Sequence, residues 1–430
     1  MNRLIVTPGL LITQGLLVAL SALLATSVSA ADANFADLPP SAQVEAALNR
    51  HISVLTAETG VRVEQANQRK WNSGNYEFHV RAGSSQRNVV TTGQAFREWD
   101  AAVERPLRLL NKVFLDSDIG AEGVSRAEYV LGDARHEAKR LLLNLWFNWQ
   151  REHTQVKLWQ QQVDILRQQA SITEKRMRAG DAPRMELNQA QAVAAQAGVS
   201  LQQASLRAQL AASALKRPFP VLVLPAESVL AIPQPIEHEL SYWQEQVFDD
   251  NHELGMVQAD SRFQQLLAKR SSADRVPDPT VGLRYSNEKA GEEKIAGVYV
   301  SVPISFGLRG VNAEIASRHA ESAQHREAAT RRRLEGDVYA AYTQAVNNYM
   351  IWQQAQEAAR SVRENAELVA RAYSLGESSL TDALNARRMA LESGLAATMA
   401  QLDANEARYR LLLDAHQLWR LDMHDGGAKM

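Results

Sequence analysis

Between residues 75 and 106, and again between residues 281 and 302, apolar and polar side chains alternate with a period of two. In "NYEFHVRAG", Tyr76, Phe78, Val80 and Ala82 face one way and Glu77, His79 and Arg81 the other. In "REWDAAVERP", Trp99, Ala101 and Val103 oppose Asp100, Ala102 and Glu104. The later pair repeats the pattern. Val281, Leu283 and Tyr285 oppose Gly282, Arg284 and Ser286, and Ala296, Val298, Val300 and Val302 oppose Gly297, Tyr299 and Ser301. This periodicity predicts four strands. Pro106 and Pro303 close the two pairs, 303 − 106 = 197 residues apart. Proline lacks the N–H a ladder needs but suits the first turn of a helix, so each marks a strand-to-helix junction.

After each strand pair the period changes to that of a long helix. From Val311 to Leu375 there are 65 residues without proline, a rod of about 98 Å at about 1.5 Å per residue. The equivalent span from Leu107 to Ala179 is longer but contains Gly120, Gly123 and Gly132, which weaken the expectation of an unbroken helix. Each rod ends at a glycine, Gly180 or Gly376, and a second helix returns. Leu384, Leu391, Leu395, Met399, Leu402, Tyr409 and Leu413 form a packing seam on the later one,.

The two glycines are 376 − 180 = 196 residues apart, and that offset brings Lys175 onto Arg371, Glu186 onto Asp382, Ala190 onto Ala386, Gly198 onto Gly394 and Leu206 onto Leu402. Upstream, Arg167 falls on Arg363 and Ala170 on Ala366. Shared order and spacing indicate an internal duplication. The first copy spans 31–215 and the second 241–420, with a linker at 216–240 carrying Pro218, Pro220, Pro225, Pro233 and Pro235, and a tail at 421–430.

Composition changes this picture in two places. Arg3, an apolar run from Leu10 to Val28, and Val28-Ser29-Ala30 before Ala31 predict a secretory signal peptide over 1–30,. The 430 residues include no cysteine, which removes disulfides, thiol chemistry and lipid attachment through an N-terminal cysteine,. A net charge of −2 offers no basic surface for nucleic acid,. Beyond the leader no segment is apolar for long enough to cross a bilayer as a helix, so an exported chain of this kind is either soluble or crosses as β-strands. Four strands cannot close a barrel, because the smallest single-chain barrels have about eight, so a barrel requires an oligomer. The alternative is a soluble periplasmic coiled-coil adaptor with two exposed hairpins.

The stretches "NHELGMVQADSRFQQLLAKRSSADRVPDPTVGLRYS", "GVYVSVPISFGLRG" and "RAYSLGESSLTDALNARR" resemble the TolC-like outer-membrane efflux channels of Gram-negative bacteria, most closely their heavy-metal-efflux, CzcC-like branch. The similarity covers essentially the whole mature chain. It implies a mixed α and β membrane protein: a homotrimer in which four strands per chain build a 12-stranded barrel in outer-membrane lipid and the helices form a periplasmic tunnel. It also implies a periplasmic adaptor, an inner-membrane pump of the resistance-nodulation-division type, and a passive duct for metal cations. Drug efflux and type I protein secretion with an ABC exporter are the alternatives on the same architecture.

Carried onto this chain, the resemblance implies adaptor-docking tips at Arg178, Ala179, Gly180 and Asp181 and at Ser374, Leu375, Gly376 and Glu377. The tunnel entrance would involve Tyr373, whose counterpart in the first copy is Met177, and an acidic ring six and nine positions after the second glycine. Here those positions are Asp382 and Asn385, so one acid is replaced; in the first turn of its helix Asp382 also suits the helix dipole,. Tyr76, Phe78, Trp99 and Tyr285 are the aromatic candidates for anchoring a barrel that has no lipid tether,. No phosphate loop, nucleophile elbow or zinc-protease pattern occurs. No histidines fall at helical metal spacing, His319 and His325 being six apart, so neither an enzyme nor a cofactor or metal site is expected,. The aromatic cluster Trp146, Phe147 and Trp149 is expected to pack the helical wall.

Overall fold

The structure, a computed structural model, describes residues 35–74 and 76–419; the leader expected over 1–30 and the tail over 421–430 lie outside the described residues. The four alternating segments form β1 (His79–Val89), β2 (Gln94–Pro106), β3 (Thr280–Glu288) and β4 (Glu293–Ser301). They make one antiparallel sheet in the order β1-β2-β3-β4, in which the β2–β3 pairing joins the two copies of the duplication.

The register lines Val80, Val103, Leu283 and Val298 across all four strands. Their exposures are 75%, 42%, 61% and 72%, so this face of the sheet is apolar and bare in the single chain. The opposite face is polar. Its Glu104–Gly282–Tyr299 row carries a hydrogen bond from the Tyr299 hydroxyl to Glu104 at 2.6 Å, and Arg87 bridges Glu98 and Glu288 at 2.8 and 2.5 Å. A Cβ at Gly282 would lie 2.4 Å from the Tyr299 ring, so only glycine lets that ring lie across the strand. One apolar and one polar face is the pattern of a barrel wall between lipid and lumen.

The first strand departs from the sequence expectation. It begins at His79 rather than at Asn75, and continues to Val89 through the polar stretch "GSSQRNV" because each residue there finds a partner on β2. Tyr76 therefore lies outside the sheet, and its hydroxyl donates to Asp278 Oδ2 at 2.9 Å while Arg108 stands over its ring. Its place is thus at the strand-to-helix junction and not in the strand expected for it. Phe78 remains exposed under Arg105, and Trp99 and Tyr285 pair with ring centroids 5.5 Å apart.

The helices are α1 (Ser41–Leu48), α2 (Ile52–Ser73), α3 (Leu110–Arg178), α4 (Arg184–Lys216), α5 (Leu240–Asp249), α6 (His252–Ala273), α7 (Leu308–Ser374) and α8 (Leu380–Asp414). The two copies read α2-β1-β2-α3-α4 and α6-β3-β4-α7-α8, with helices of 22, 69 and 33 residues against 22, 67 and 35. The α3 helix runs unbroken through its three glycines. Packing explains why: a Cβ at Gly120 would come 3.0 Å from the Gln68 backbone, and one at Gly132 would come 2.7 Å from the His252 ring. Loss of helix propensity at these positions is offset by close approach of α2 and of the start of α6.

Around the middle of the rods, α1, α5 and the linker complete a belt-like core. Trp146, Phe147 and Trp149 are buried there with Leu48, Phe219, Trp243 and Tyr409, so the aromatic cluster packs the helical wall as expected. Buried Asp37 organises the polar part of this belt. Its carbonyl accepts from Trp146 Nε1 and Gln150 Nε2 at 2.8 and 2.7 Å, and its carboxylate accepts from the Tyr409 hydroxyl at 2.7 Å. The buried Trp146 and Tyr409 donors thereby gain partners,.

A second polar network fixes the sheet to the rods. Lys112, fully buried, is 3.0 Å from both Asp274 and Asp278 and donates to the Val276 carbonyl at 2.8 Å. Arg108 links Asp116 to the last turn of α2 through the Trp71 and Asn72 carbonyls. Burial works against the charged form of Asp278, but hydrogen bonds from Lys112, Tyr76 and the Leu109 N–H outweigh it and hold its pKa below the usual carboxylate range.

Two outcomes follow at this junction. Lys112→Met leaves Asp278 without its buried counter-charge and should cost about 3 kcal/mol, read as a lowered unfolding midpoint in detergent, with partial recovery in Lys112→Met/Asp278→Asn. Because the folded-state pKa of Asp278 is depressed, its contribution is complete above 3.8 and is lost as pH falls through the folded value,. Stability measured from pH 5 downward should therefore fall less steeply in Asp278→Asn than in the parent.

Candidate functional site

At the far end of the rods from the sheet, the α3–α4 and α7–α8 hairpins turn by the same device. Gly180 and Gly376 adopt φ of 79° and 80°. The Asp181 N–H reaches back to the Arg176 carbonyl at 2.9 Å and the Gly180 N–H to Met177 at 3.0 Å; Glu377 reaches Ala372 at 2.9 Å and Gly376 reaches Tyr373 at 3.1 Å. This is the Schellman pattern, in which a left-handed glycine satisfies the last helical carbonyls. No atom lies within 4 Å of a Cβ built at either glycine, so the backbone angle, and not crowding, demands glycine there.

The two tips touch within one chain. Arg176 Nε meets Asp181 Oδ2 at 2.9 Å and its Nη1 donates to the Tyr373 hydroxyl, also at 2.9 Å, while that hydroxyl points towards Glu186 Oε2 at 3.5 Å. The guanidinium also stands over the Tyr373 ring, 5.4 Å from its centroid. Beneath this contact Val163, Leu166, Ala190, Ala197, Leu380 and Leu384 form a small buried cluster.

Other sequence-predicted residues are placed differently. Asp382 belongs to a capping arrangement: its N–H donates to Ser379 Oγ at 3.1 Å and the same hydroxyl donates to its carboxylate at 2.7 Å,. Its side chain and that of Asn385 are exposed and are not drawn into the Tyr373 contact. Arg178 pairs with Glu174, and Ser374 Oγ donates to the Arg371 carbonyl. Ala179 and Leu375 are the two C-cap residues, and Leu375 is 66% exposed at the apex beside Glu377.

Sequence reasoning missed Arg176 and Glu186 as partners of Tyr373. The duplication already placed Glu186 on Asp382, which was the signal that could have found it. It also missed a group assembled from distant segments, Asp250, His252 and His416, whose potential ligand atoms lie within 4.8 Å of one another. Helical spacing rules cannot detect that group, because His416 lies beyond the end of α8 while its neighbours connect α5 to α6.

No protein-family model and no curated protein sequence matches the chain. Solved structures do. The CmeC outer membrane channel of Campylobacter jejuni superposes with a TM-score of 0.73 at 16% identity, covering 87% of this chain and 85% of that one. The fold is that of the TolC-like outer-membrane channels. The outer membrane protein VceC of Vibrio cholerae gives a TM-score of 0.72 at 14% identity over 87% and 95% of the two chains. The open MtrE outer membrane channel of Neisseria gonorrhoeae gives 0.66 at 16% over 91% and 93%. Within this channel fold, the glycine tips are the end of the helical part opposite the sheet.

Alanine at Gly180 or Gly376 should cost about 1–2 kcal/mol locally through the left-handed backbone alone. The expected readout is roughly tenfold or greater acceleration of amide exchange at the affected tip, with the mid-rod amides unchanged. Alanine at Gly198, inside α4 with no atom near its would-be Cβ, should have the opposite sign, a gain of about 0.5–1 kcal/mol.

Proposed function

We propose that the chain is the outer-membrane channel of a tripartite efflux system, a homotrimer whose four strands per chain close a 12-stranded barrel. It would act as a passive, non-enzymatic exit duct, its helical tunnel in the periplasm and its barrel in outer-membrane lipid. The observation that carries this is the sheet. It has an apolar face bare across all four strands, a polar opposite face, and two unpaired edges on β1 and β4, mounted on helices about 100 Å long,. Such a sheet in lipid requires closure by further copies. The likeness to outer membrane channels supports the same assignment. Among the described residues no helix is long and apolar enough to cross a membrane.

In this reading the Gly180 and Gly376 tips, with Arg178, Ala179, Asp181, Ser374, Leu375 and Glu377, dock the periplasmic adaptor, and through it an inner-membrane pump of the resistance-nodulation-division type. Tyr373 holds the entrance through Arg176 and Glu186. Three copies of Asp382 near the axis favour cations over anions, which agrees with a heavy-metal cargo; Asn385 leaves that ring with one acid per chain.

The deciding experiment is fractionation with native gel analysis of the full-length protein. A detergent-extracted, heat-sensitive trimer in the outer membrane is expected; a periplasmic monomer that is monodisperse without detergent overturns the channel and favours the soluble adaptor. Deletion should lower tolerance to zinc, cobalt, cadmium or copper, and unchanged metal tolerance with increased drug sensitivity would move the cargo to organic compounds. In planar bilayers Tyr373→Phe should raise the open fraction, and Asp382→Asn should reduce cation over anion permeability several-fold.

A further inference from the structure

The group formed by Asp250, His252 and His416 lies in the belt, away from both the tips and the sheet. Asp250 is the C-cap of α5 and His252 is the first residue of α6. His416 follows the C-cap of α8 with φ of 55°, a left-handed angle that is uncommon for a residue with a side chain,. The angle belongs to the Schellman turn that ends α8, with the His416 N–H on the Leu413 carbonyl at 3.0 Å and the Gln417 N–H on the Leu412 carbonyl at 2.8 Å,. The His252 and His416 rings meet edge to face at 5.3 Å between centroids, and His136 of α3 backs His416 at 5.2 Å. On its other side the His252 ring occupies the space left by Gly132, where a Cβ would lie 2.7 Å from Nδ1.

We propose that these three residues bind one divalent cation of the zinc type. Two imidazoles and a carboxylate are a ligand set suited to such ions, with bonds of about 2.0–2.2 Å. Tetrahedral ligands at that bond length stand about 3.3 Å apart. The ligand atoms here already lie within 4.8 Å of one another, so a small adjustment of side chains completes the shell, and a water takes the fourth position. Exposed Asp250 gives the ion an entry path, while the half-buried histidines shield it. Lys139, a cation in the same belt, is engaged by the Trp419 carbonyl at 3.2 Å. The His136 Nε2 is 3.3 Å from the Leu413 carbonyl, so His136 supports His416 and is not counted as a ligand.

The bound ion would tie the α5–α6 connection to the end of α8, closing the belt around α3. It is a resident ion and independent of any ion carried through the tunnel, so this inference does not rest on the efflux reading.

The test uses the full-length protein in detergent, purified through a tag without histidine, stripped with EDTA and dialysed. Zinc chloride titration with elemental analysis should give about one zinc per chain with micromolar or tighter affinity, and zinc should raise the unfolding midpoint. His252→Gln and His416→Asn should each weaken binding at least tenfold and abolish the zinc-dependent shift; asparagine tolerates the left-handed angle, so His416→Asn keeps the backbone. His325→Gln, on the exposed face of α7, should bind like the parent. No zinc retained after dialysis, or binding weakened as much by His325→Gln as by the belt variants, overturns the site.

Discussion

A β-sheet with two open edges cannot stand alone in lipid, and in the proposed barrel that constraint governs the rest of the molecule. Each unpaired N–H and C=O on β1 and β4 would cost several kcal/mol in hydrocarbon. The row from Val80 to Val298 would equally be out of place in water. In the proposed barrel, satisfying both demands requires neighbouring copies along the edges. The duplication follows the same logic. One hairpin per rod doubles to two, and the β2–β3 pairing makes the doubled unit a continuous wall segment.

The sheet must also be held at a fixed angle to the rods, and this task falls on charges. Lys112 with Asp274 and Asp278, and Arg108 and Arg270 with Asp116, converge where strands become helices. A buried ion network is weak evidence for added stability but directional evidence for a unique geometry. The two copies do not share it equally. At the strand-pair offset of 197, Lys112 corresponds to Arg309, which donates to the Asp274 carbonyl, while Asp116 corresponds to Ala313. The junction therefore lies between α3 of the first copy and the end of α6 in the second.

Much of this architecture was legible from periodicity. The strand alternation, the proline positions, the rod from Val311 onward and the two glycine turns depend on local chemistry that one sequence records. What escaped depends on contacts between distant segments. Gly120 and Gly132 read as helix breakers until Gln68 and His252 are seen against them. Tyr76 fits the strand period, yet Asp278 and Arg108 take it into the junction. The belt histidines lie far apart along the chain and meet only through the fold. At the tip the glycine turns were legible; Glu186 was signalled only by its match to Asp382, and nothing local marked Arg176, whose contact with Tyr373 arises across the two hairpins.

The distribution of these contacts sets where the proposed duct can move. The belt is held by buried aromatic packing and by satisfied buried groups such as Asp37 and Asn405, so opening it would expose a core. At the tip the cross-hairpin polar contacts include Tyr373 with Arg176 and Glu186 and Gln189 with Thr381, over a cluster of small and medium side chains. The pairing of Arg176 with Asp181, whose side chains are 34% and 70% exposed, is of the kind worth about 0–1 kcal/mol. Local opening follows the regions with least buried apolar contact. Rearrangement therefore costs least at the glycine hairpins, where the two rods end and where the proposed adaptor would supply binding energy, and most at the belt, which keeps the rods in register while the tips part.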